Sequence, residues 1–476
     1  MSEMRLSDAI ESLKDFWFEY RRQRIGLVGL GLFIMFVCMA LFAPMVAPPE
    51  ASRKWEDILY WKDYPRAARP SWVKYFTSRK IPEHVILSNP EVKRRMIGVN
   101  IVELENTFEY DFQYDETHNE IVLKYDQNLS SKEPPTVLML FQRPDGYEIE
   151  LLSIKASETG KTARIRVSSD AAFIGAVKSF TREFESKENL EMAGKFFNPM
   201  LPLFSKTQEG MVLSSLAEPL KGTYRITVTF YLRDPNDVVE NVTILLGGEL
   251  YGVLGTDVYR RDLFAGLVWG TRVSLIIGIL TSVLSVMAGV LYGVTSAYLG
   301  GYKDEIMQRI YEVVASIPVL PILIIIAAVY RLTIWRTIGI LMLFGWIGGS
   351  RVVRSMAYQI KEMDYVEAAR AVGAGSWWII RKHVLPQIMP YAFASMALSV
   401  PGMVLLEAGL SFLGLGDLTR VTWGRILHDA QANAATINGF WWWVLPPGFA
   451  IALLGLSFAF IGAALNTILF PKLRRL

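Results

Sequence analysis

Long charge-free apolar runs alternate along the chain with stretches dense in charge. Ile25 to Ala47 carries no charge and is long enough to cross a bilayer, for which a helix needs about 20 apolar residues. A polar block then runs to residue 262. Charge-free runs return in Val273–Tyr302, Val313–Tyr330, Thr337–Ser350 and Val384–Leu406, and in Ala430–Pro471, whose spanning part starts near Trp443. The pattern predicts six crossings. The first is too long for a signal-peptide core and is expected to stay uncleaved.

The polar stretches are patterned as well. Leu6, Ile10, Leu13, Trp17 and Tyr20 recur at helical spacing, which predicts an amphipathic helix over 1–24 lying on the membrane surface. Within 48–262 the segment Thr223 to Phe230 alternates in the strand manner. Thr136–Phe141 and Tyr147–Ile154 flank Pro144-Asp145-Gly146, a turn tripeptide that predicts a hairpin. Ala171 to Glu185 reads as a helix. A block of about 200 residues can bury its own core, and a β-sandwich is the expected form. The fold class is therefore an α-helical polytopic membrane protein of six transmembrane helices with an inserted β-rich domain. Its layout is a cytoplasmic N-terminal helix 1–24, span 1 at 25–47, the β-rich domain 48–262, and a core 263–476 that holds spans 2–6 and a polar loop 359–386.

Composition narrows the classes. The chain of 476 residues is 52% hydrophobic with a net charge of +3, which argues against a nucleic-acid binder. Its one cysteine, Cys38, excludes an intramolecular disulfide and a cysteine-based metal site. Basic residues matter by position. Arg21, Arg22 and Arg24 precede span 1. Lys361, Arg370, Arg381 and Lys382 fall between spans 4 and 5. Lys472, Arg474 and Arg475 follow span 6. Six spans put all three groups on one side, the cytoplasm, and 48–262 outside. Arg331 and Arg336 go against this rule. Trp441, Trp442 and Trp443 suit an outer interface. Asn128 and Asn241 head glycosylation tripeptides of a kind that is common by chance.

Catalytic signals are absent. Gly160-Lys161-Thr162 ends a phosphate-loop pattern whose first glycine position holds Lys155, so ATP hydrolysis by this chain is not expected. His84, His118, His383 and His428 show no zinc spacing. His383 reads as an interfacial polar residue. Gly409-Leu-Ser411 lacks the closing glycine of a nucleophile elbow.

The polar segment 367–386 stands apart. Glu367, Ala368 and Ala369 start a short helix of small side chains that lets another protein's surface approach closely. Gly373 allows a turn, and Leu385-Pro386 begins the next span. Glu407, towards the outer end of span 5, either faces a path or gate or hydrogen-bonds amides of the turn after Ser411. Asp257, Arg261 and Asp262, just before span 2, either anchor by ion pairing or touch a docked partner.

Three motifs together resemble a known family. The first runs from Arg22-Gln-Arg-Ile-Gly to Ala43-Pro44 and Ala47-Pro48. The second is Gly255-Thr256-Asp257 with Arg261-Asp262, followed by Gly270-Thr-Arg272 and Ser274. The third joins Glu367-Ala-Ala, Gly373 and Leu385-Pro386 to Glu407-Ala-Gly-Leu-Ser411, Gly414-Leu-Gly416 and Trp423-Gly424. The chain resembles an inner-membrane permease subunit of an ABC importer of the dipeptide/oligopeptide/nickel class, over 15–50 and 250–476. It departs in its enlarged segment between spans 1 and 2, in Arg260 where the family has glycine, and in lacking terminal acidic residues.

The resemblance implies a type I importer permease fold with no cofactor in this chain, ATP being hydrolysed by partner subunits. The implied partners are a second homologous permease, two ATPases, an extracytoplasmic solute-binding protein and the bilayer. It assigns Glu367, Ala368, Ala369, Gly373, Leu385 and Pro386 to ATPase coupling. Substrates of the class include peptides, nickel chelates and oligosaccharides. The external domain is expected to serve as a docking platform for the solute receptor. A secondary transporter or channel subunit with a receptor-like external domain is the alternative, and would call for inverted repeats or paired intramembrane charges.

Overall fold

A computed structural model describes residues 6–469 except 99, 132, 157–160, 195, 196, 331 and 418, with side chains from Glu11 onward apart from 12 and 13. Arg331, Lys472, Arg474, Arg475, Pro471 and Gly160 therefore lie outside the described residues, as do the side chains of Leu6, Ile10 and Leu13. The chain divides into two compact units, Met1–Asp57 with Leu263–Leu476, and Ile58–Asp262.

Among the described residues the second unit is built from nine strands. These are β1 (Val85–Leu87), β2 (Glu91–Met96), β3 (Val102–Phe112), β4 (Glu120–Asn128), β5 (Thr136–Gln142), β6 (Glu148–Lys155), β7 (Thr162–Ile165), β8 (Gly222–Leu232) and β9 (Val238–Gly247). They form a five-stranded sheet in the order β2-β3-β8-β5-β6 and a four-stranded sheet in the order β1-β9-β4-β7. All ladder pairs are antiparallel. Alternation along β3 turns Val102, Leu104, Phe108, Tyr110 and Phe112 inward, while β8 turns Tyr224, Ile226, Val228, Phe230 and Leu232 to the same face. Their register matches, with Leu104 opposite Phe230 and Tyr110 opposite Tyr224. The two sheets share one apolar core. Tyr125 of β4 meets Phe230 of β8 edge-on with ring centroids 4.7 Å apart. The hairpin expected at Pro144-Asp145-Gly146 is present. It is closed by Arg143 N–H donating to Tyr147 O (2.9 Å) and Gly146 N–H donating to Arg143 O (3.0 Å). The expected helix covers Ala171–Thr181. Asp170 caps it by accepting from Ala172 N–H, and it buries Phe173, Val177 and Phe180 along one stripe.

The first unit is helical. Among the described residues four helices are long and apolar enough to cross a membrane: Arg24–Leu41, Leu263–Leu299, Ser376–Phe412 and Trp441–Leu469. Gly301–Ser316 and Val319–Val329 make a fifth if counted as one span, bent by 77°. The bend falls at Ile317-Pro318, where proline cannot donate to a continuing helix. The count of six is thus not reached among the described residues. The stretch expected as a separate span at 337–350 is divided between the start of Ile347–Lys361 and Ile334–Gly345, a helix of 12 residues. That is about 18 Å long against a hydrocarbon thickness of about 30 Å. The central helix starts ten residues upstream of the charge-free run. It carries Arg272, whose guanidinium lies 5.4 Å from the Trp269 ring centroid.

Phe36 of the first span, Leu275 of the central helix, Val400 and Val404, Trp423, and Leu454 and Phe458 of the last span form one apolar cluster. Ser457 donates to Gly29 O at 2.9 Å, which ties the last span to the first. The helix Leu6–Tyr20 precedes the first span, and Tyr20 Oη donates to Gly26 O at 2.9 Å.

Candidate functional site: a protruding helix-turn between two helices

Glu367, Ala368 and Ala369 lie on the helix Asp364–Ala371, separated by two residues from the end of the helix Ile347–Lys361. Asp364 and Glu367 occupy its first turn and Arg370 its last, so both charge signs complement the helix dipole. The helix closes by a Schellman arrangement. Ala374 N–H donates to Ala369 O and Gly373 N–H to Arg370 O, both at 3.0 Å. Gly373 sits at φ +90°, in the left-handed region that this cap requires. Ser376 then opens the next helix, which passes through a π-helical stretch Ile380–Val384 into Leu385–Phe412, with Pro386 in its first turn.

Between 364 and 379 the segment is anchored by two buried apolar residues and most of its other side chains are exposed. Val366 and Ile379 are fully buried against Val294, Val353, Ile360 and Ile388, with Ala369 and Leu385 partly buried on the same cluster. Glu367, Ala368 and Gly373 are exposed. So are the apolar Val372 (90%), Trp377 (67%) and Trp378 (49%). The sequence reading did not single out Val366 or Ile379. Their signal was apolar side chains on either side of a polar turn. His383 rests against the Tyr365 and Trp378 rings, 5.4 and 5.3 Å between centroids, and Gln387 hydrogen-bonds Tyr365 Oη.

Glu407 is buried in the helix Leu385–Phe412. Ser411 Oγ donates to its Oε1 at 2.7 Å, and Thr422 lies near the carboxylate. Thr422 also caps the helix Trp423–Ala432 by accepting from Arg425 N–H at 3.1 Å. Trp423-Gly424 packs next to this carboxylate. A Cβ on Gly424 would lie 2.6 Å from Ala408 O, so only glycine fits the approach. Trp423 Nε1–H donates to Leu267 O at 2.9 Å. The glycine and tryptophan of the third motif thus seat this short helix on two others.

Asp257 and Arg261 are brought together in the β-rich unit. Asp257 Oδ2 accepts from Arg261 Nε–H at 2.6 Å, and its Oδ1 accepts the backbone N–H of Tyr259 and of Arg261 at 2.9 and 2.8 Å. Both side chains are buried, and Asp262 is half-buried in a bridge to Thr256. Thr256 accepts from Ala68 N–H and donates to Pro65 O, at 2.9 and 2.7 Å. The second motif is therefore laced to residues 65–68. Arg260 takes φ +69°, in the left-handed region that favours glycine. Its guanidinium grips Glu120 of β4 with two hydrogen bonds, at 2.5 and 2.6 Å.

Two family models match. Residues 269–475 match the binding-protein-dependent transport system inner membrane component, and residues 12–59 match the N-terminal transmembrane domain of oligopeptide transport permease C. The dipeptide transport system permease protein DppC of Bacillus subtilis is 37% identical over 46% of this chain and 69% of its own length. The chain belongs to this permease family. The oligopeptide transport system permease protein OppC of Haemophilus influenzae is 35% identical over 47% of this chain and 71% of its own, and the OppC of Bacillus subtilis 33% identical over 46% and 72%. A solved amino acid ABC transporter aligns with 43% of this chain at 19% identity and a TM-score of 0.28, too low to support an argument. This permease is a multi-pass, non-catalytic inner-membrane component that acts with an ATPase and a binding protein. Its β-rich unit falls between the two matched stretches.

Proposed function

We propose that this permease forms one wall of a peptide-import pore, that a second homologous permease supplies the other, and that the helix Asp364–Ala371 docks into one of two ATPases. The observation that carries the reading is the helix itself: small exposed residues on a short rod, fixed at Val366 and Ile379, with apolar Val372 and Trp377 left uncovered. A rod held at both ends by membrane helices passes a push at its tip inward as a rigid-body movement. Glu367 and Ala368 form its contact face, Gly373 its turn, and Leu385-Pro386 the start of the helix that receives the motion. Peptides are the favoured substrates because the relatives are named as dipeptide and oligopeptide permeases.

In this reading the membrane part makes six crossings. The sixth comes from Ile334–Gly345 continuing through Trp346 into Ile347–Lys361. Both termini are cytoplasmic and residues 48–262 extracytoplasmic, where that domain receives the loaded solute-binding protein. Asp257 and Arg261 hold the edge of that domain together, and Glu407 props the turn after the fifth crossing.

The test is disulfide crosslinking from Ala368→Cys in a Cys38→Ser background to cysteines introduced across the ATPase surface, in inside-out vesicles. A crosslink, together with vanadate-sensitive peptide uptake, is the expected result. Labelling of the introduced thiol at position 368 from the periplasmic side only would sink the proposal. Deletion of residues 55–245 with unchanged binding-protein affinity would remove the docking role alone.

A further inference from the structure

The helix Gly301–Ser316 buries one residue among those described, and that residue is an acid, Asp304. Its buried tie to the neighbouring helices is this carboxylate; on its more exposed side Tyr292 Oη donates to Met307 O, and Arg351 lies 3.7 Å from Glu312 and over the Tyr311 ring. Arg354 grips Asp304 with two donors, Nε to Oδ1 at 2.8 Å and an Nη to Oδ2 at 2.5 Å. Tyr358 Oη donates to Oδ2 at 2.8 Å, and Ser296 Oγ donates to Oδ1. Gln308 in turn donates to Ser296 Oγ at 3.0 Å. Three helices meet at one carboxylate: Leu263–Leu299 through Ser296, Gly301–Ser316 through Asp304, and Ile347–Lys361 through Arg354 and Tyr358.

This cluster stands one step from the protruding turn. Arg354 and Tyr358 lie on the helix that leads directly into Asp364–Ala371. Lys361, at the end of that helix, donates to Ala297 O at 3.3 Å, so its last turn is also fastened to the central helix. On the other side of the carboxylate, Gly301–Ser316 leads through the 77° bend into Val319–Val329. We propose that Asp304 and Arg354 are positioning residues that form the mechanical joint through which movement of the coupling helix reaches the bent pair Gly301–Ser316 and Val319–Val329. A planar, two-donor fork resists rotation about the contact, which one apolar contact does not. Breaking the fork leaves the coupling helix in place and removes its buried link to Gly301–Ser316, so that only the exposed contact of Arg351 with Glu312 and Tyr311 remains between them. The inference rests on the coupling reading of Asp364–Ala371.

The test uses the full transporter in proteoliposomes, with its partner permease, ATPases and solute-binding protein. The readouts are peptide uptake, ATP hydrolysis and the Ala368→Cys crosslink. Asp304→Asn is expected to keep the crosslink and the binding-protein-stimulated hydrolysis within about twofold, while uptake per ATP falls at least about tenfold. Arg354→Lys keeps the charge but loses the fork and is expected to fall between. Tyr358→Phe keeps both charges and is expected to lower the same ratio about two- to threefold. Uptake per ATP unchanged in Asp304→Asn overturns the joint and leaves the coupling reading intact. Loss of crosslink, hydrolysis and uptake in parallel, in Tyr358→Phe as well as Asp304→Asn, makes the cluster a scaffold only and overturns the proposal. No crosslink in the unmodified background overturns the coupling reading first, and the joint with it.

Discussion

Arg260 and Glu120 form a buried, two-hydrogen-bond ion pair in the β-rich unit, with side-chain exposures of 10% and 11%. Arg260 pays for its left-handed backbone, a cost of order 1–2 kcal/mol for a residue with a side chain. It also donates to Tyr64 O at 2.7 Å, so one guanidinium joins the second motif, strand β4 and the chain near residue 64. Removing one partner leaves a buried charge unmatched. Glu120→Ala is expected to destabilise the unit by about 3–5 kcal/mol. Glu120→Gln with Arg260→Gly removes both charges and the strain together and is expected to recover most of the loss. Hydrogen exchange at the β4 and β9 amides reads this out directly. Equal protection in Glu120→Ala and the parent would rule the pair out as a support.

His118 gives the same unit a pH dependence. It is buried beside Phe112, Tyr114 and Phe204. Its Nε2 accepts from Tyr110 Oη at 2.6 Å, and Nδ1–H donates to Gly247 O at 3.3 Å. Burial disfavours the charged ring and lowers its pKa from 6.5 to about 4. Between those values the unfolded chain binds a proton that the folded unit does not, so stability rises with pH. The contribution is complete above pH 6.5 and is lost as pH falls towards 4, with a total of order 3 kcal/mol. Urea midpoints for the unit's tryptophan signal at pH 7 and pH 4.5 test it. His118→Gln is expected to flatten the difference, and an undiminished slope in that variant would assign the effect elsewhere.

These two features mark the limit of what patterning can reveal. Alternation in Thr223–Phe230 and the turn at Pro144 were enough to predict strands and a hairpin, because burial on one face of a sheet imposes period two. Nothing in the spacing of Arg260 and Glu120, or of His118 and Tyr110, could pair them, since sheet order brings distant positions together. At the protrusion the position was legible, from Glu367 to Pro386. Its fastening by Val366 and Ile379 was not.

Glu407→Gln is expected to keep assembly and at least half of peptide uptake, since an amide oxygen still accepts from Ser411 Oγ. Glu407→Leu leaves the Ser411 hydroxyl facing an apolar group and is expected to cost about 1–3 kcal/mol. Thermal unfolding in detergent and vesicle uptake, measured side by side, separate the two roles. Loss of uptake in Glu407→Gln at unchanged stability would favour a gate over a prop.

On the protrusion, Ala368→Glu places a charge on an exposed helical position and is expected to change stability by less than about 0.5 kcal/mol. Peptide uptake is expected to fall at least about tenfold, because a docking surface does not tolerate an unmatched charge. Gly373→Val acts differently. A β-branched residue at φ +90° strains the cap, and both stability and uptake are expected to fall. Full uptake in Ala368→Glu would contradict the proposed contact.

The sequence by itself determined that long apolar runs need a membrane, that an intervening block of alternating residues folds as strands, and that a polar turn with small residues stands between two late helices. These follow from burial periodicity and from the cost of unpaired backbone in lipid, both of which act locally. Only the tertiary structure decided where the helices break, which apolar pair pins the protruding turn, and that Asp304 joins three helices while Arg260 locks a strand. Such pairings depend on which distant side chains the packed fold brings within hydrogen-bond reach, and a charge buried there is stable only beside its partner.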